Sequence, residues 1–505
     1  MSLARTQSIS LQGIRGELVD IEVDVAHGLP SYVLLGLPDA ALNESRDRIR
    51  AAVSNSNLQW PNKKVTVSLS PAWLPKSGSG FDLPIAIAII LASNQVENNQ
   101  RQNQIFIGEL ALDGSVRPIR GVLPMIIAAR DNGFRYAVVP AGNYREAALI
   151  RDIEIIAVNS LREVMHWIST GQKIEQPELD LNQEEIFKCD MSEVRGQNLA
   201  KFAMTIAAVG GHHILMTGPP GTGKTMLAER FSTIIPPLTQ TAAIEVTAIH
   251  SVAGTISQRA LLSSAPPFIA PHHSTTIVAM VGGGSRTIRP GACSLAHRGV
   301  LFIDEAPECA SGILDSLRQP LESGVASISR SSGTVTFPAK FILILAANPC
   351  PCGRFAGRGR ACECSSLQVR RYLNRLSGPL LDRIDLRIRV EAPTRLELAN
   401  STAEPSEKIR ERVQSARNAA IERFKDEPYE TNSQIPPSHL QTRYRAGKDA
   451  MALLHNLLDS ESISARSFHR ILRTAWSIAD LTGAVLPKKT EIERAISMRT
   501  GVANE

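Results

Sequence analysis

The chain has 505 residues, 43% hydrophobic and 21% charged, with a formal net charge of +6. That length holds about three domains with cores of their own, and the composition is that of an ordinary globular protein, not a disordered or fibrous one. The charge is too mild to announce a nucleic-acid partner by itself. The longest apolar stretch, Leu83–Ala92, is about ten residues and carries Pro84, too short to span a bilayer. Met1–Gln7 has one basic residue, Arg5, and no apolar segment behind it, so a cytoplasmic protein without a membrane partner is expected.

From residue 1 to about 170, short strand-like and helical stretches alternate. Val65–Leu69 has period two, Leu83–Ser93 predicts a buried helix, and Phe106–Val116 predicts a hairpin turning at Asp113-Gly114. Val122–Asn132 is amphipathic and stops at Gly133, a helix C-terminal signal, and strands are expected over 137–140 and 153–158. Residues 171–190 are polar and acidic without apolar period, a linker. A second domain is expected over 191–393 and a mostly helical third over 394–505, interrupted at Pro436-Pro437.

The second domain carries the chemistry. Gly218, Pro219, Pro220, Gly221, Thr222, Gly223, Lys224 and Thr225 fit G-x-x-x-x-G-K-[ST] at every position, after the apolar run Ile214–Met216 and before a helical stretch. Glycines let the backbone wrap an anion and aim N–H groups at it. Lys224 can reach β- and γ-phosphates of ATP, and the Thr225 hydroxyl can ligate Mg²⁺. An ordinary Gly-rich turn is the competing reading, weakened by a partner motif about 80 residues on. There the buried strand Val300–Ile303 ends in Asp304-Glu305. One acid can hold the metal (Asp304) and the other polarise the attacking water (Glu305). A third apolar strand, Phe341–Ala347, ends at Asn348, which can bond the γ-phosphate or the water, or else is a strand-ending turn residue.

Four of the seven cysteines fall together as Cys350, Cys352, Cys362 and Cys364. Two C-x-C pairs can fold four thiolates around one ion, and tetrahedral sulfur fits Zn²⁺ best; an iron–sulfur cluster, a redox pair or no metal remain open. Cys189, Cys293 and Cys309 lack neighbours and are expected to pack. Between Cys350 and Leu376 stand Arg354, Arg358, Arg360, Arg370, Arg371 and Arg375 against Glu363 alone, either a solvated basic face or a footprint for phosphate backbone. Arg383 lies at a helix-to-strand junction, and Arg466 near the start of a C-terminal helix. From spacing alone, surface ion pairs are the ordinary reading of both.

Together these residues resemble AAA+ ATPases of the magnesium-chelatase-subunit/MCM branch, and over nearly the whole chain the bacterial ComM/YifB family. The resemblance rests on Val33–Arg46, Gly221–Thr225, Pro271–Ser274, Leu317–Glu322, Asn348–Gly353 and Leu376–Asp385. It implies an α/β chain with an N-terminal Lon-protease-like domain, a central AAA+ core on a parallel sheet with the four-cysteine module at 350–364, and a C-terminal helical lid. It further implies an ATP-driven homo-hexamer that moves branched joints of single- and double-stranded DNA in natural transformation, with Arg383 acting on a neighbouring subunit's nucleotide and Arg466 as lid sensor. A chelatase- or chaperone-type machine that remodels a protein is the alternative.

Phe106–Arg120 carries the Lon likeness. Aligning Lys76–Asp82 with the peptidase's nucleophile loop puts Gly80, or with a slip Ser79, at the serine position. The lysine position falls on Leu123, with no lysine near it, so proteolysis is not expected. Two pore-facing insertions typical of the branch have candidates: Pro266–Arg289, and a hairpin over Val325–Phe337 with Arg330 near its tip, a DNA contact alongside Arg354, Arg358 and Arg360. His272-His273 has no Cys or acid nearby in sequence to complete a metal site, so a structural or nucleotide-sensing role is expected.

Overall fold

The computed structural model describes residues 2–37, 39, 42, 44–76, 78–96, 103–172, 174–176, 189–256, 262–284, 287–330, 333–355, 362–400 and 403–501. The N-terminal part begins with strands β1 (Ser2–Gln12), β2 (Arg15–Ala26), β3 (Ser31–Leu35) and β4 (Lys64–Ser70), in spatial order β1-β2-β4-β3. Val19, Ile21, Val23 and Val25 alternate onto one face of β2 and are buried, as a sheet with one covered face requires. Beside it lies helix α2 (Asp82–Ala92), buried at every residue. Its first residue, Asp82, meets Arg48 of α1 (Ser45–Asn55) at 2.9 Å. Burial pushes the Asp82 pKa up to about 6 against the opposing pull of Arg48.

A second, parallel sheet holds β5 (Gln104–Phe106), β6 (Tyr136–Pro140) and β7 (Glu154–Val158). The expected hairpin is present but shorter: only Glu109–Leu110 pairs with Val116–Arg117, around Gly114 at φ +85°. Helix α3 (Val122–Asp131) covers this sheet, and α4 (Leu161–Thr170) ends at left-handed Gly171. Of the expected linker, residues 173 and 177–188 lie outside the described set; Gln176 within it accepts from Ala157 N through Oε1 at 2.8 Å.

The central part contains α5 (Asn198–Gly210), β8 (Ile214–Thr217), α6 (Lys224–Ile234), α7 (Gln240–Ala253), β9 (Phe268–Ile269), β10 (Val300–Ile303), the antiparallel pair β11 (Val325–Arg330) and β12 (Gly333–Pro338), β13 (Ile342–Ala347) and β14 (Leu386–Arg389). Five of these strands form a parallel sheet, β9-β10-β13-β8-β14. Their apolar runs are continuous because both faces are covered. Period two still sorts them: Ile214, Met216, Phe302 and Ile344 join one core with α5, α6 and the C-terminal helices, whereas Leu215, Leu301, Ile303, Leu343 and Leu345 join another with Ile313, Leu314 and Leu317.

Of the C-terminal helices, α8 (Ser406–Arg423) and α9 (Ala465–Thr482) pack on α5 and on each other, and α10 (Lys489–Thr500) packs on α9 and β14. Buried Asp480 accepts from Arg423 at 2.5 Å and from Asn432 at 2.7 Å. The N-terminal part docks on α7: Gly121 N donates to the Ser251 carbonyl at 3.1 Å, and Ser251 Oγ to the buried Glu146 carboxylate at 2.6 Å. Among the described residues no helix is long and apolar enough to cross a membrane.

Candidate nucleotide and metal sites

Strands β8, β10 and β13 are adjacent and parallel, so their C-terminal ends converge, and each ends in one of the expected polar groups. The loop between β8 and α6 turns back on itself through Gly221 (φ +77°) and Gly223 (φ +88°). A Cβ at Gly218 would meet the Val390 carbonyl oxygen at 2.1 Å, so only glycine lets the loop leave the sheet there. The helix opens at Lys224 itself, inside the loop motif rather than after it.

Lys224 is buried, and its Nζ donates to the carbonyls of Gly218 (2.7 Å) and Pro219 (2.9 Å) and to Asn348 Oδ1 (3.1 Å). Burial lowers its pKa, and Asp304 and Glu305 pull the other way. Thr225 Oγ1 donates to Asp304 Oδ2 at 2.7 Å, while Asp304 Oδ1 accepts from the Glu305 amide at 2.9 Å. A hydroxyl and a carboxylate already in contact, both oxygen donors, fit the hard-ligand preference of Mg²⁺.

Glu305 sits in left-handed backbone (φ 48°, ψ 42°), a conformation that costs a non-glycine residue about 1–3 kcal/mol and concentrates at functional sites. Its carboxylate lies half-exposed, 3.5 Å from His273 Nδ1. The histidine pair, without an acid near it in sequence, thus has one beside it in space: Glu305 is distant in the chain but adjacent in the fold. The His272 and His273 rings lie 4.0 Å apart. Gln197, which no motif announces, donates to the Thr222 carbonyl at 2.6 Å and ties the phosphate loop to the start of α5.

Cys350, Cys352, Cys362 and Cys364 place their sulfurs within 4.8 Å of one another. The Cys350–Cys352 separation is 3.3 Å, and Cys362 lies 3.6 Å from each of them. A tetrahedron of ~2.3 Å Zn–S bonds has edges of about 3.8 Å, so the four thiols fit a single tetrahedral ion. The module leans on the phosphate loop: Gly353 is buried at φ +73°, and a Cβ there would meet Pro220 at 2.6 Å. Cys293 and Cys309 are buried as expected, but Cys189 is half-exposed with its thiol 3.8 Å from the Glu229 carbonyl.

The two outlying arginines are brought together, away from Lys224. Arg383 pairs with Glu322, and Arg466 lies 3.7 Å from Asp382. Both line one cavity of about 920 Å³ with Arg298, Arg417, Arg470 and Arg473, to which Gly218–Thr225 contributes no lining. Arg330 ends β11 opposite Gly333 and is exposed, as is Arg354. Arg358 and Arg360 lie outside the described residues. In the N-terminal part, Ser79 Oγ donates to the Glu109 carboxylate. Leu123 is buried, and fully buried Lys76 turns its Nζ to the Leu69 and Pro71 carbonyls. No Ser–Lys pair stands at the described positions of that loop.

Residues 190–398 match the family described as magnesium chelatase, subunit ChlI. Residues 21–143 match subunit ChlI of Mg-chelatase, and residues 403–499 its C-terminal family. An uncharacterised protein of Mycobacterium tuberculosis is 44% identical over 501 residues, covering 99% of each chain. Competence protein ComM of Haemophilus influenzae is 38% identical over 515 residues, 99% of this chain and 98% of its own. Lon protease 2 of Bacillus subtilis is 32% identical over 120 residues, 23% of this chain and 21% of its own. Parallel sheet, helical C-terminal region and full-length similarity agree, and the chain belongs to the ComM/YifB family of magnesium-chelatase-like AAA+ proteins.

Proposed function

We propose that the protein is an ATP-driven, hexameric DNA motor that promotes branch migration of recombination intermediates. The observation that carries the ATPase reading is the meeting of Thr225 with Asp304 and of Lys224 with Asn348 around one loop. In this reading the loop amides and Lys224 hold the β- and γ-phosphates. Thr225 and Asp304 hold Mg²⁺, which when bound neutralises phosphate charge. Glu305 orients and polarises the attacking water, and Asn348 bonds the γ-phosphate or that water. The half-exposed Glu305 carboxylate can accept a proton, and His273 at 3.5 Å holds its orientation.

Arg383 and Arg466 share a cavity remote from their own chain's loop, which supports their acting together on the nucleotide of a neighbouring subunit. Such an arginine contributes about 10³–10⁵ in rate in related NTPases. It also makes the motor an obligate assembly, because each site is incomplete alone. The four-cysteine module is read as a zinc site. With Arg330 and Arg354, and with Arg358 and Arg360, it supplies sequence-independent contacts to DNA phosphates. The DNA substrate rests on the full-length similarity to a competence protein. The family matches named for a chelatase subunit favour the second reading, a machine that remodels a protein partner. Strand displacement from a synthetic four-way junction tests the choice. ATP-dependent separation of the arms is expected, and hydrolysis without any junction movement favours the remodelling machine.

A further inference from the structure

The turn that presents Arg383 is gripped from two sides. On the sheet side, the amides of Asp385 and Leu386 donate to the His213 carbonyl, both at 3.1 Å, and His213 N donates to Asp385 Oδ2 at 3.2 Å. His212 Nδ1 adds a contact to the same oxygen at 3.5 Å. On the other side stand two arginines of the C-terminal helices. Arg470 of α9 donates through Nη1 both to Asp385 Oδ1 at 2.5 Å and to the Arg383 carbonyl at 2.9 Å. Arg499 of α10 donates to the Ile384 carbonyl and reaches Ser467 Oγ of α9 at 3.2 Å.

Arg470 is one helical turn beyond Arg466, so both project from the same face of α9. One guanidinium thus ties together the backbone of Arg383, the buried carboxylate that anchors its turn, and the helix that carries Arg466. Burial alone would raise the Asp385 pKa, but Arg470, His212 and His213 outweigh it and hold the carboxyl well below the usual range. The anchor is therefore ionised, and its partner is fixed.

We propose that Arg470 is the positioning residue that sets Arg383 and Arg466 as one rigid pair for delivery to the neighbouring subunit's nucleotide. The role rests on the proposed action of Arg383 in trans. Arg470 lines the shared cavity but spends its hydrogen bonds inward, on Arg383 and Asp385, rather than on a ligand. It also gives a route by which any movement of α9 displaces Arg383, and hence hydrolysis next door. Since a misplacement of about 1 Å can cost on the order of 10² in rate, the effect of loosening the pair falls on turnover, not on ATP affinity.

The test compares full-length Arg470→Ala, Arg470→Lys and Arg383→Ala for kcat, KM for ATP and thermal melting. Arg470→Ala strands a buried carboxylate and risks the fold. Arg470→Lys keeps the charge but replaces the rigid planar guanidinium, whose Nη1 meets both acceptors, with an ammonium on a flexible stem. Arg470→Lys is expected to melt near wild type, keep KM within about twofold, and lose about tenfold to a hundredfold in kcat. Mixed with Lys224→Ala, it should regain turnover, because the Lys224→Ala chain offers intact arginines to a site whose own phosphate loop is intact. A well-folded Arg470→Lys with wild-type kcat overturns the proposal. So does a loss of turnover that no mixing ratio relieves, which would mean damage within the subunit's own site. If Arg383→Ala itself keeps full turnover, the trans reading fails instead, and the two failures are told apart.

Discussion

At the level of single residues, the site is a set of short polar contacts made by strand ends that the fold forces together. Thr225 and Asp304 touch although 79 positions separate them, because β8 and β10 both flank β13 and all three run parallel. Loop, acids and Asn348 are legible because each follows an apolar run of strand length, and a run that ends in a charge has one end to put it at. The link from His273 to Glu305 is not legible. It depends on where a loop after β9 crosses the end of β10, and no local pattern encodes that crossing. Gln197 is hidden for the same reason. Two substitutions separate the roles. Lys224→Ala should abolish nucleotide binding or turnover. Glu305→Gln should bind ATP normally but turn it over about 10²–10⁴-fold more slowly, because the Thr225–Asp304 pair survives while the water-polarising carboxylate is lost. Titration with a fluorescent ATP analogue beside steady-state phosphate release measures both, and wild-type turnover in Glu305→Gln removes that residue from the mechanism.

At the level of elements, the cysteine module and the β11–β12 hairpin differ in what they touch. The two C-x-C pairs are visible as a candidate tetrahedron from spacing alone. Their abutment on the phosphate loop through Gly353 and Pro220 is not, since it arises from the close approach of two backbones. Elemental analysis of the purified protein should give about one zinc per chain. A Cys352→Ser/Cys364→Ser variant should lose it while the parallel sheet stays folded, because structural zinc contributes on the order of 10 kcal/mol locally in small modules and neither cysteine is part of the sheet core. Full metal content in the double variant contradicts the assignment. The hairpin is legible in its period-two pattern around Ser-Ser-Gly, and its register ends at Arg330 opposite Gly333. Arg330→Ala alters neither the 218–225 loop nor the acid pair, so it should leave basal ATPase intact. DNA-stimulated rate and junction movement should fall, and the logarithmic salt dependence of DNA binding should flatten by roughly one unit. Unchanged stimulation and migration would remove the hairpin from the DNA path.

At the level of the whole molecule, the residues proposed to act on nucleotide are divided between two ends of the central sheet: the 218–225 loop follows β8, whereas the cavity of Arg383 and Arg466 is lined by His213, Gly299 and Phe341, which precede β8, β10 and β13. Sequence motifs supply the parts, but the division follows from the C-terminal helices sharing a core with α5 and the central sheet, a long-range packing outcome that no local window encodes. The N-terminal part is joined to that frame through Glu146 and Ser251. A Cβ at Gly13 would meet the Thr336 carbonyl at 2.5 Å, so the β1–β2 turn also rests on the hairpin strand β12. Phosphate loop, hairpin and N-terminal part thus form one connected body. The central claim is that hydrolysis in this body is coupled to DNA, and the ATPase rate with and without DNA at low and moderate salt measures it most directly. Stimulation by DNA that fades steeply as salt rises, and that is absent in Glu305→Gln, is the predicted result; a rate indifferent to DNA at every salt concentration would contradict the account.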